Sequence, residues 1–188
     1  MTISPFDSAL LGDLFADREV AELFEDSAQI ASMLLFEAAL AAAQARAGVI
    51  PEASATRIGE VCRDFQPDPA SLAAGTASSG VPVPALVKAL KAEIGGDDAR
   101  YVHFGATSQD VFDTGLVLRL RDVISIIRRR IRKLAKSLST LAETHRNTVM
   151  IGRTRSQQAV PTTFGLKAAG WLAPLVRIDR RIEGLSHD

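Results

Sequence analysis

The stretch DVFDTGLVLRLRDVISIIRRRIRKLAKSLSTLAETHR, residues 110–146, decides the fold of this chain. Apolar side chains recur every seven residues along this stretch, and such heptad spacing is typical of a helix in a bundle. A helix of this extent is roughly 55 Å long at about 1.5 Å per residue, longer than most domains of this size are wide. The stretch therefore predicts an all-α protein built on long helices. Its two apolar series are Leu120, Ile127, Leu134 and Leu141 and, between them, Ile124, Ile131 and Leu138.

A second apolar series follows after residue 165 and predicts a second bundle helix. Pro174 interrupts this series and is expected to kink the helix. The two helices can pair antiparallel across the segment that connects them. One such pair leaves much apolar surface uncovered, so we expect association with other copies of the chain or with further sequence. The members of the series stand three or four residues apart: Ala168, Trp171, Leu175, Ile178, Ile182 and Leu185.

The residues before the long helix predict a separate N-terminal helical domain. Glycine and proline mark the ends of its elements. The expected domains are an N-terminal helical domain over residues 1–109 and the start of a central long-helix bundle over residues 110–188. Within the first domain we expect an extended or turn-rich arm over residues 1–16, helices over about 18–47 and 52–65, and a short helix that residues 81–84 open and that reaches about Ile94.

Composition excludes several classes of partner. Hydrophobic residues make up 47% of the 188 residues, which excludes a disordered chain. The 22 basic and 22 acidic side chains give zero net charge, so no global field indicates nucleic acid or an anionic membrane. We interpret the basic cluster at residues 128–136 as a solvated or subunit-bridging face. Cys62 has no second cysteine to pair with, and no apolar run spans about 18 residues without charge, so a cytoplasmic protein is expected.

Residues 103–110, HFGATSQD, concentrate polar side chains at the start of the long helix. Thr107 or Ser108 can cap that helix. The free backbone N–H groups there carry the positive end of the helix dipole, so a substrate carboxylate can bind at this point. Capping alone, with a structural His103, is the alternative interpretation. Of the other histidines, His145 is interpreted as a surface group or a partner of the helix C-terminal dipole, and His187 as incidental.

A second polar segment, residues 152–165, connects the two apolar series and is expected to be a loop. It reads GRTRSQQAVPTTFG. Guanidinium groups bind carboxylates in a bidentate manner, so Arg153 and Arg155 are candidate anchors for a polyanionic small molecule. A solvated loop with interhelical ion pairs is the alternative. An antiparallel pair places this segment a helix length from residues 103–110, so the two segments serve one site only if different subunits contribute them.

The two polar segments resemble the first two signature regions of the fumarase/aspartase superfamily, in the form found in its 3-carboxy-cis,cis-muconate cycloisomerase branch. Residues 37–40, EAAL, also resemble the opening helix of these enzymes, and the likeness covers essentially the whole chain. The matching motifs are His103-x-Gly105-x-Thr107-Ser108-x-Asp110-x-x-Asp113-Thr114 and Gly152-Arg153-Thr154-x-x-Gln157-x-Ala159-x-Pro161-Thr162-Thr163.

The resemblance implies a cycloisomerase that lactonises 3-carboxy-cis,cis-muconate, or a close anionic analogue, in the degradation of aromatic compounds through protocatechuate. It implies neither metal nor organic cofactor. The implied partners are a small polycarboxylate substrate and further copies of the chain, in a homotetramer with shared sites, and neither nucleic acid nor membrane. The candidate catalytic residues are His103 and Ser108, and the candidate substrate-binding residues are Thr107, Gln109, Arg153, Thr154, Arg155 and Gln157.

Two departures from the superfamily pattern bear on this interpretation. Adenylosuccinate lyases carry a histidine proton donor after Gly-Arg-Thr, whereas this chain has Arg155, which stays protonated and is a poor acid–base group. The third signature, a flexible Gly-Ser-Ser-x-Met-Pro-type loop, does not occur in the sequence. We therefore expect an N-terminal portion of a longer enzyme that is inactive alone. A C–N lyase of adenylosuccinate or argininosuccinate lyase type, releasing fumarate, and a non-catalytic helical assembly module stay open as alternatives.

Overall fold

The computed structural model describes residues 4–185 and divides between Asp122 and Val123 into two compact units. The predicted all-α class is confirmed, with one small two-stranded sheet. The domain boundary expected after residue 109 stays a prediction. The elements are α1 (Gly12–Phe15), α2 (Arg18–Ala21), α3 (Asp26–Arg46), α4 (Glu52–Asp64), α5 (Pro69–Ser79), α6 (Val83–Ile94), α7 (Ser108–Thr144), β1 (Val149–Thr154), β2 (Gln157–Thr163) and α8 (Phe164–Leu185).

The core of the first unit lies between α3, α4 and α6. Burying these apolar side chains supplies the main driving force for folding of the unit. By length and composition α3 could also cross a membrane, but its apolar face contributes to this core, as expected of a core helix. One ionisable side chain, that of Glu37, lies among the fully buried residues. The others are Met33, Ile58, Val83, Leu86, Leu90, Val102 and Val111.

Two expectations for the first fifty residues need correction. The arm over residues 1–16 is not simply turn-rich, because its described part contains a 3₁₀ turn, Pro5–Asp7, and α1. The helix expected over 18–47 is broken, since a 3₁₀ turn, Glu22–Phe24, and an extended Glu25 separate α2 from α3. The ring of Phe24 lies 5.6 Å from the guanidinium carbon of Arg119, a tertiary contact that helical periodicity cannot reveal.

The long helix predicted from the heptads is present as α7, from Ser108 to Thr144. Its N-terminal part lies close to α3, where a side chain on Gly115 would come within 2.8 Å of the Ser32 hydroxyl. This approach fixes the start of α7, and with it residues 103–110, against α3. One heptad series is only partly covered: Leu120, Ile127, Leu134 and Leu141 are 38%, 40%, 51% and 39% exposed.

The second unit joins the C-terminal part of α7 to α8 through a β-hairpin. At the start of α8 the backbones come very close, because a side chain on Gly165 would lie 2.6 Å from the carbonyl oxygen of Ala142. The helix α8 continues through Pro174, and the kink expected there stays a prediction. Trp171 and Ile178 of the second apolar series are about half exposed. His187 lies outside the described residues.

Candidate active site

The first polar segment forms a tight loop that leads into α7. It follows a 3₁₀ turn, Asp97–Tyr101, and the buried Val102. His103 has a φ of 60° and Gly105 a φ of 71°, so two residues of this short loop are left-handed. For a histidine this conformation is unfavourable, and it persists only where surrounding contacts hold it.

The contact that holds His103 comes from α3. Its ring nitrogen Nδ1 lies 2.7 Å from Oε1 of Glu37, and the two side chains are 16% and 1% exposed. Burial raises the pKa of the Glu37 carboxyl, while the hydrogen bond and charge of His103 act in the opposite direction. The loop thus places an imidazole between a buried carboxyl and the surface.

A second side chain of α3 holds the same loop by its backbone. The amide of Gln44 donates a hydrogen bond from Nε2 to the carbonyl oxygen of Phe104 over 2.6 Å. Glu37 and Gln44 stand seven residues apart, about two turns of one helix. Adjacent residues of the loop are therefore fixed to one rigid element, as a precise site requires.

At the start of α7, Thr107 occupies the N-cap position and Asp110, the third residue of the helix, contributes to the cap. Its carboxylate accepts a hydrogen bond from the backbone N–H of Thr107 over 3.0 Å, which is half of a capping box. The hydroxyls of Thr107 and Ser108 make no hydrogen bond within residues 4–185, so Thr107 caps α7 by its position and not through its hydroxyl. Both hydroxyls are therefore available at the positive end of the helix dipole.

Gln109 is partly occupied within its own helix. It donates from Nε2 to Oδ1 of Asp113 over 2.6 Å, one turn further along α7. One N–H of its amide is therefore used to orient the side chain. The second N–H is the group with which Gln109 can still bind an anion.

His103 and Ser108 line one open cleft of about 400 Å³. Two lysines of α6, Lys88 and Lys91, line it too, together with Val83, Pro84 and Val87. The wall combines two ammonium groups, an imidazole and a helix N-terminus over an apolar floor. The ammonium groups and the helix N-terminus favour an anion, and a small carboxylic acid with a hydrocarbon body fits this combination.

The second polar segment is a β-hairpin and not the expected loop. Strands β1 and β2 are antiparallel, and Thr154 pairs with Gln157 across a two-residue turn. The turn residues Arg155 and Ser156 have φ values of 41° and 65°, as a type I′ hairpin turn requires. The sequence did not indicate a hairpin because the turn lacks the asparagine and glycine that usually mark one.

A bulge in β1 coincides with Gly152. The pairing shifts register between Ile151 and Arg153, and a side chain at Gly152 would lie 2.8 Å from the carbonyl oxygen of Val160. Only glycine fits this close approach without displacing the partner strand. The bulge therefore sets where Arg153 stands along the hairpin.

All four predicted binding residues of the second segment are exposed on this hairpin. Arg153, Thr154, Arg155 and Gln157 make no side-chain hydrogen bond or ion pair within the described part of the chain. The interhelical ion pairs considered for this segment are thus not formed by its arginines. The two guanidinium groups, near the hairpin turn, can each donate hydrogen bonds to a carboxylate.

The basic cluster at residues 128–136 needs a partial correction. Arg128 and Arg132 are paired within the second unit and do not form only a solvated or subunit-bridging face. Arg128 donates to Asp179 over 2.8 Å and also contacts Glu183, and Arg132 lies 3.1 Å from Asp179. These ion pairs tie α7 to α8.

The sequence of this chain matches one known family along nearly its whole length. A family model described as lyase matches residues 15–187. The chain belongs to this lyase family. The resemblance to the fumarase/aspartase superfamily, and to its 3-carboxy-cis,cis-muconate cycloisomerase branch, is thereby confirmed.

Several known lyases and cycloisomerases are similar to this member of the family. A nitrosuccinate lyase of Streptomyces davaonensis is 43% identical over 96% of the chain and 39% of its own length. A 3-carboxy-cis,cis-muconate cycloisomerase of Pseudomonas aeruginosa is 43% identical over 87% of the chain and 36% of its own length. The crystal structure of the β-carboxy-cis,cis-muconate cycloisomerase from Acinetobacter calcoaceticus sp. ADP1 has a TM-score of 0.89 and 40% identity over 94% of the chain and 42% of its own. The chain thus spans about two fifths of the length of these relatives.

Sequence reasoning did not place three residues that lie near His103 in the candidate site. Glu37 could have been recognised from the sequence, since it is the one carboxyl on a buried face of α3 that also carries Ile30, Leu34 and Ala41. Lys88 and Lys91 stand three apart on the helix that precedes the motif, a spacing that places both on one face. Only the packing of α3 and α6 around the loop brings these side chains to the histidine.

Proposed function

We propose that the full-length protein is a cycloisomerase that lactonises 3-carboxy-cis,cis-muconate, or a close anionic analogue, and acts in the cytoplasm. The observation that carries the proposal is Arg155 at the hairpin turn, which, like the nearby Arg153, has no ion pair within residues 4–185. A permanent cation at this position suits substrate binding better than proton transfer. The 43% identity to a 3-carboxy-cis,cis-muconate cycloisomerase supports the same substrate class.

The proposed reaction is an intramolecular addition. One carboxylate oxygen of the substrate forms a C–O bond to a carbon of a conjugated double bond, and the π electrons move toward the neighbouring carbon and its carboxylate. A proton is then added to that carbon, so the product is an isomer of the substrate. Such a step requires neutralisation of several carboxylates, stabilisation of an enolate-like intermediate and one proton transfer.

Two groups of described residues are proposed to meet these requirements. At the start of α7, the hydroxyls of Thr107 and Ser108 and the amide of Gln109 bind one carboxylate, and His103 orients the substrate or transfers the proton. On the hairpin, Arg153, Thr154, Arg155 and Gln157 bind further carboxylate oxygens. The exposure of the hairpin side chains and the open cleft beside His103 support both assignments.

We further propose that the two groups meet in a homotetramer, with different subunits contributing them to one site. The first group ends at the first residues of α7, and the second begins after its last residue. Exposed apolar side chains on α7 and α8 support association with further copies, because large uncovered apolar surfaces are typical of interfaces.

Substitutions in each group test the proposal in the full-length protein. Arg155→Ala and Ser108→Ala are expected to lower kcat/KM for carboxymuconate lactonisation about 10- to 100-fold each, the effect of losing a charge-assisted hydrogen bond. Arg121→Ala and Ser125→Ala, at exposed positions of α7, serve as matched controls with unchanged activity. Unchanged lactonisation by both site variants would contradict the site assignment.

A second candidate is an elimination that releases fumarate from a C–N bond. It is favoured by the match to a nitrosuccinate lyase, at 43% identity over 96% of the chain. Incubating the full-length protein with nitrosuccinate, adenylosuccinate and argininosuccinate, and following fumarate by absorbance, separates the two functions. Fumarate release without lactonisation would replace the first proposal by this one.

A further inference from the structure

We propose that Glu37 is a positioning residue of the active site: its buried carboxylate accepts the hydrogen bond of the His103 Nδ1–H and leaves Nε2 as the ring nitrogen that takes up and delivers a proton in the cleft. The inference rests on the proposed function, because it assigns Glu37 a part in the same site. It concerns a residue of α3, far from both polar segments in the sequence.

The geometry of the pair is that of an oriented histidine. A separation of 2.7 Å between Nδ1 and Oε1 is a short, charge-assisted hydrogen bond. Glu37 is fully buried, while the ring of His103 reaches the cleft that Ser108 and Lys91 also line. A carboxylate that accepts from one ring nitrogen fixes both the tautomer and the plane of the imidazole.

The second carboxyl oxygen of Glu37 indicates that this residue is not placed for stability. Oε2 is buried and has no hydrogen-bond partner within residues 4–185. A buried polar atom without a partner is destabilising, and an apolar side chain at this core position would avoid that penalty. Within residues 4–185 the contact with His103 is the one hydrogen bond of this carboxyl, and His103 lines the cleft.

The loop is built to keep this contact. His103 adopts a left-handed conformation, and Gln44 of the same helix holds the next carbonyl group over 2.6 Å. Both attachments come from α3, so the loop and its imidazole are fixed to that helix. A ring held at its backbone and at Nδ1 presents Nε2 in one direction.

Three charged or titratable groups from three elements surround the Glu37 carboxyl. They are His103 from the loop, Lys91 from α6 and Cys62 from α4. The positive charge of Lys91 favours the ionised carboxyl, as the acceptor role requires. Cys62 is a buried thiol and brings no competing charge.

The test uses the full-length enzyme with Glu37→Gln, an isosteric change whose amide can also donate to Nδ1. We expect kcat for lactonisation to fall about 10- to 100-fold with little change in KM, because orientation of a proton-transfer group is lost while carboxylate binding is kept. The pH profile of kcat is expected to change as well. Glu60→Gln, at an exposed position of α4, is the matched control and should leave both parameters unchanged.

Imidazole ¹⁵N NMR of histidine-labelled enzyme gives a readout that does not depend on turnover. The His103 signal, assigned by its loss in His103→Asn, should show the Nδ1–H tautomer in the wild type and a mixture in Glu37→Gln. An Nε2–H tautomer in the wild type would overturn the inference even if Glu37→Gln does not fold.

A double variant tests whether Glu37 acts through His103. The kcat of Glu37→Gln/His103→Asn should equal that of His103→Asn, since effects that act through one group do not add. Additive losses would show that Glu37 has only a structural role and overturn the inference. If the wild type converts neither muconates nor succinates, the proposed function fails, while the tautomer measurement still decides whether Glu37 orients His103.

Discussion

Arg128 of α7 donates a hydrogen bond from Nε to Oδ1 of Asp179 in α8 over 2.8 Å. The two side chains are only 19% and 22% exposed, and Asp179 also receives a hydrogen bond from Arg132. The pair joins the two helices that the sequence marks as bundle helices. It also explains part of a basic cluster that would otherwise indicate a free cationic surface.

The Arg128–Asp179 pair predicts a loss of stability in acid. The hydrogen bond from Arg128 lowers the pKa of Asp179, so the folded state favours the ionised carboxylate. The stability that the ion pair contributes is present above the ordinary aspartate pKa of about 4. It is lost as the pH falls through the lower pKa of the folded state. We expect Asp179→Asn to have a lower Tm at pH 7 and a smaller further decrease in acid than the wild type.

Thermal denaturation between pH 2 and pH 7 measures this difference. Glu143→Gln, an exposed carboxyl of the same unit without an ion pair in the described residues, is the matched control. Equal pH dependence of Asp179→Asn and the wild type would show that the pair does not contribute.

Gly165 is predicted to tolerate no side chain. A Cβ there would lie 2.6 Å from the Ala142 carbonyl oxygen and 2.8 Å from backbone atoms of His145 and Arg146. Gly165→Ala should therefore destabilise the protein by about 1–3 kcal/mol, the usual effect of overpacking. In chemical denaturation, Gly170→Ala in the same helix should instead gain roughly 0.5–1 kcal/mol, because its Cβ meets open space.

Glu37 predicts a pH dependence of the opposite sign to that of Asp179. Burial raises the pKa of its carboxyl, so the folded state binds a proton more readily than the unfolded chain. The stability that this proton binding contributes to the folded state is fully present below the ordinary glutamate pKa of about 4.3. It is lost as the pH rises through the folded-state pKa. Glu37→Gln should remove it, so its stability relative to the wild type increases from pH 4 to pH 8 in urea denaturation. A constant difference would contradict the raised pKa.

Cys62 is predicted to be unreactive while the protein is folded. Burial, with a smaller contribution from the charge of Glu37, raises the pKa of the thiol to about 12. The nucleophilic thiolate is therefore scarce at neutral pH. A chromogenic disulfide reagent at pH 8 should label Cys62 slowly in the native protein and rapidly in guanidinium chloride. Equal rates would show that the thiol is accessible in the folded state.

Much of the helical architecture could be predicted from the sequence, because the side-chain pattern of a helix involves only residues close together in the chain. Heptad spacing depends on residues one or two turns apart, so α7 could be recognised from its own residues. The break at Glu25 and the hairpin at Arg155 could not. Phe24, next to the break, contacts Arg119 far along the chain, and the hairpin turn has two non-glycine residues in left-handed conformations. Neither a contact between distant residues nor a left-handed turn of ordinary residues can be recognised from the spacing of side chains.

By itself, the sequence determined the helical class, the long helix and the two polar segments, since each follows from side-chain spacing within a short window. It also placed the candidate site residues, which remain a proposal. Only the tertiary structure decided that Glu37 contacts His103, that Gln44 holds the following carbonyl and that Lys91 lines the same cleft. These contacts join residues up to 66 positions apart, and such pairings are set by how helices pack and not by any local pattern.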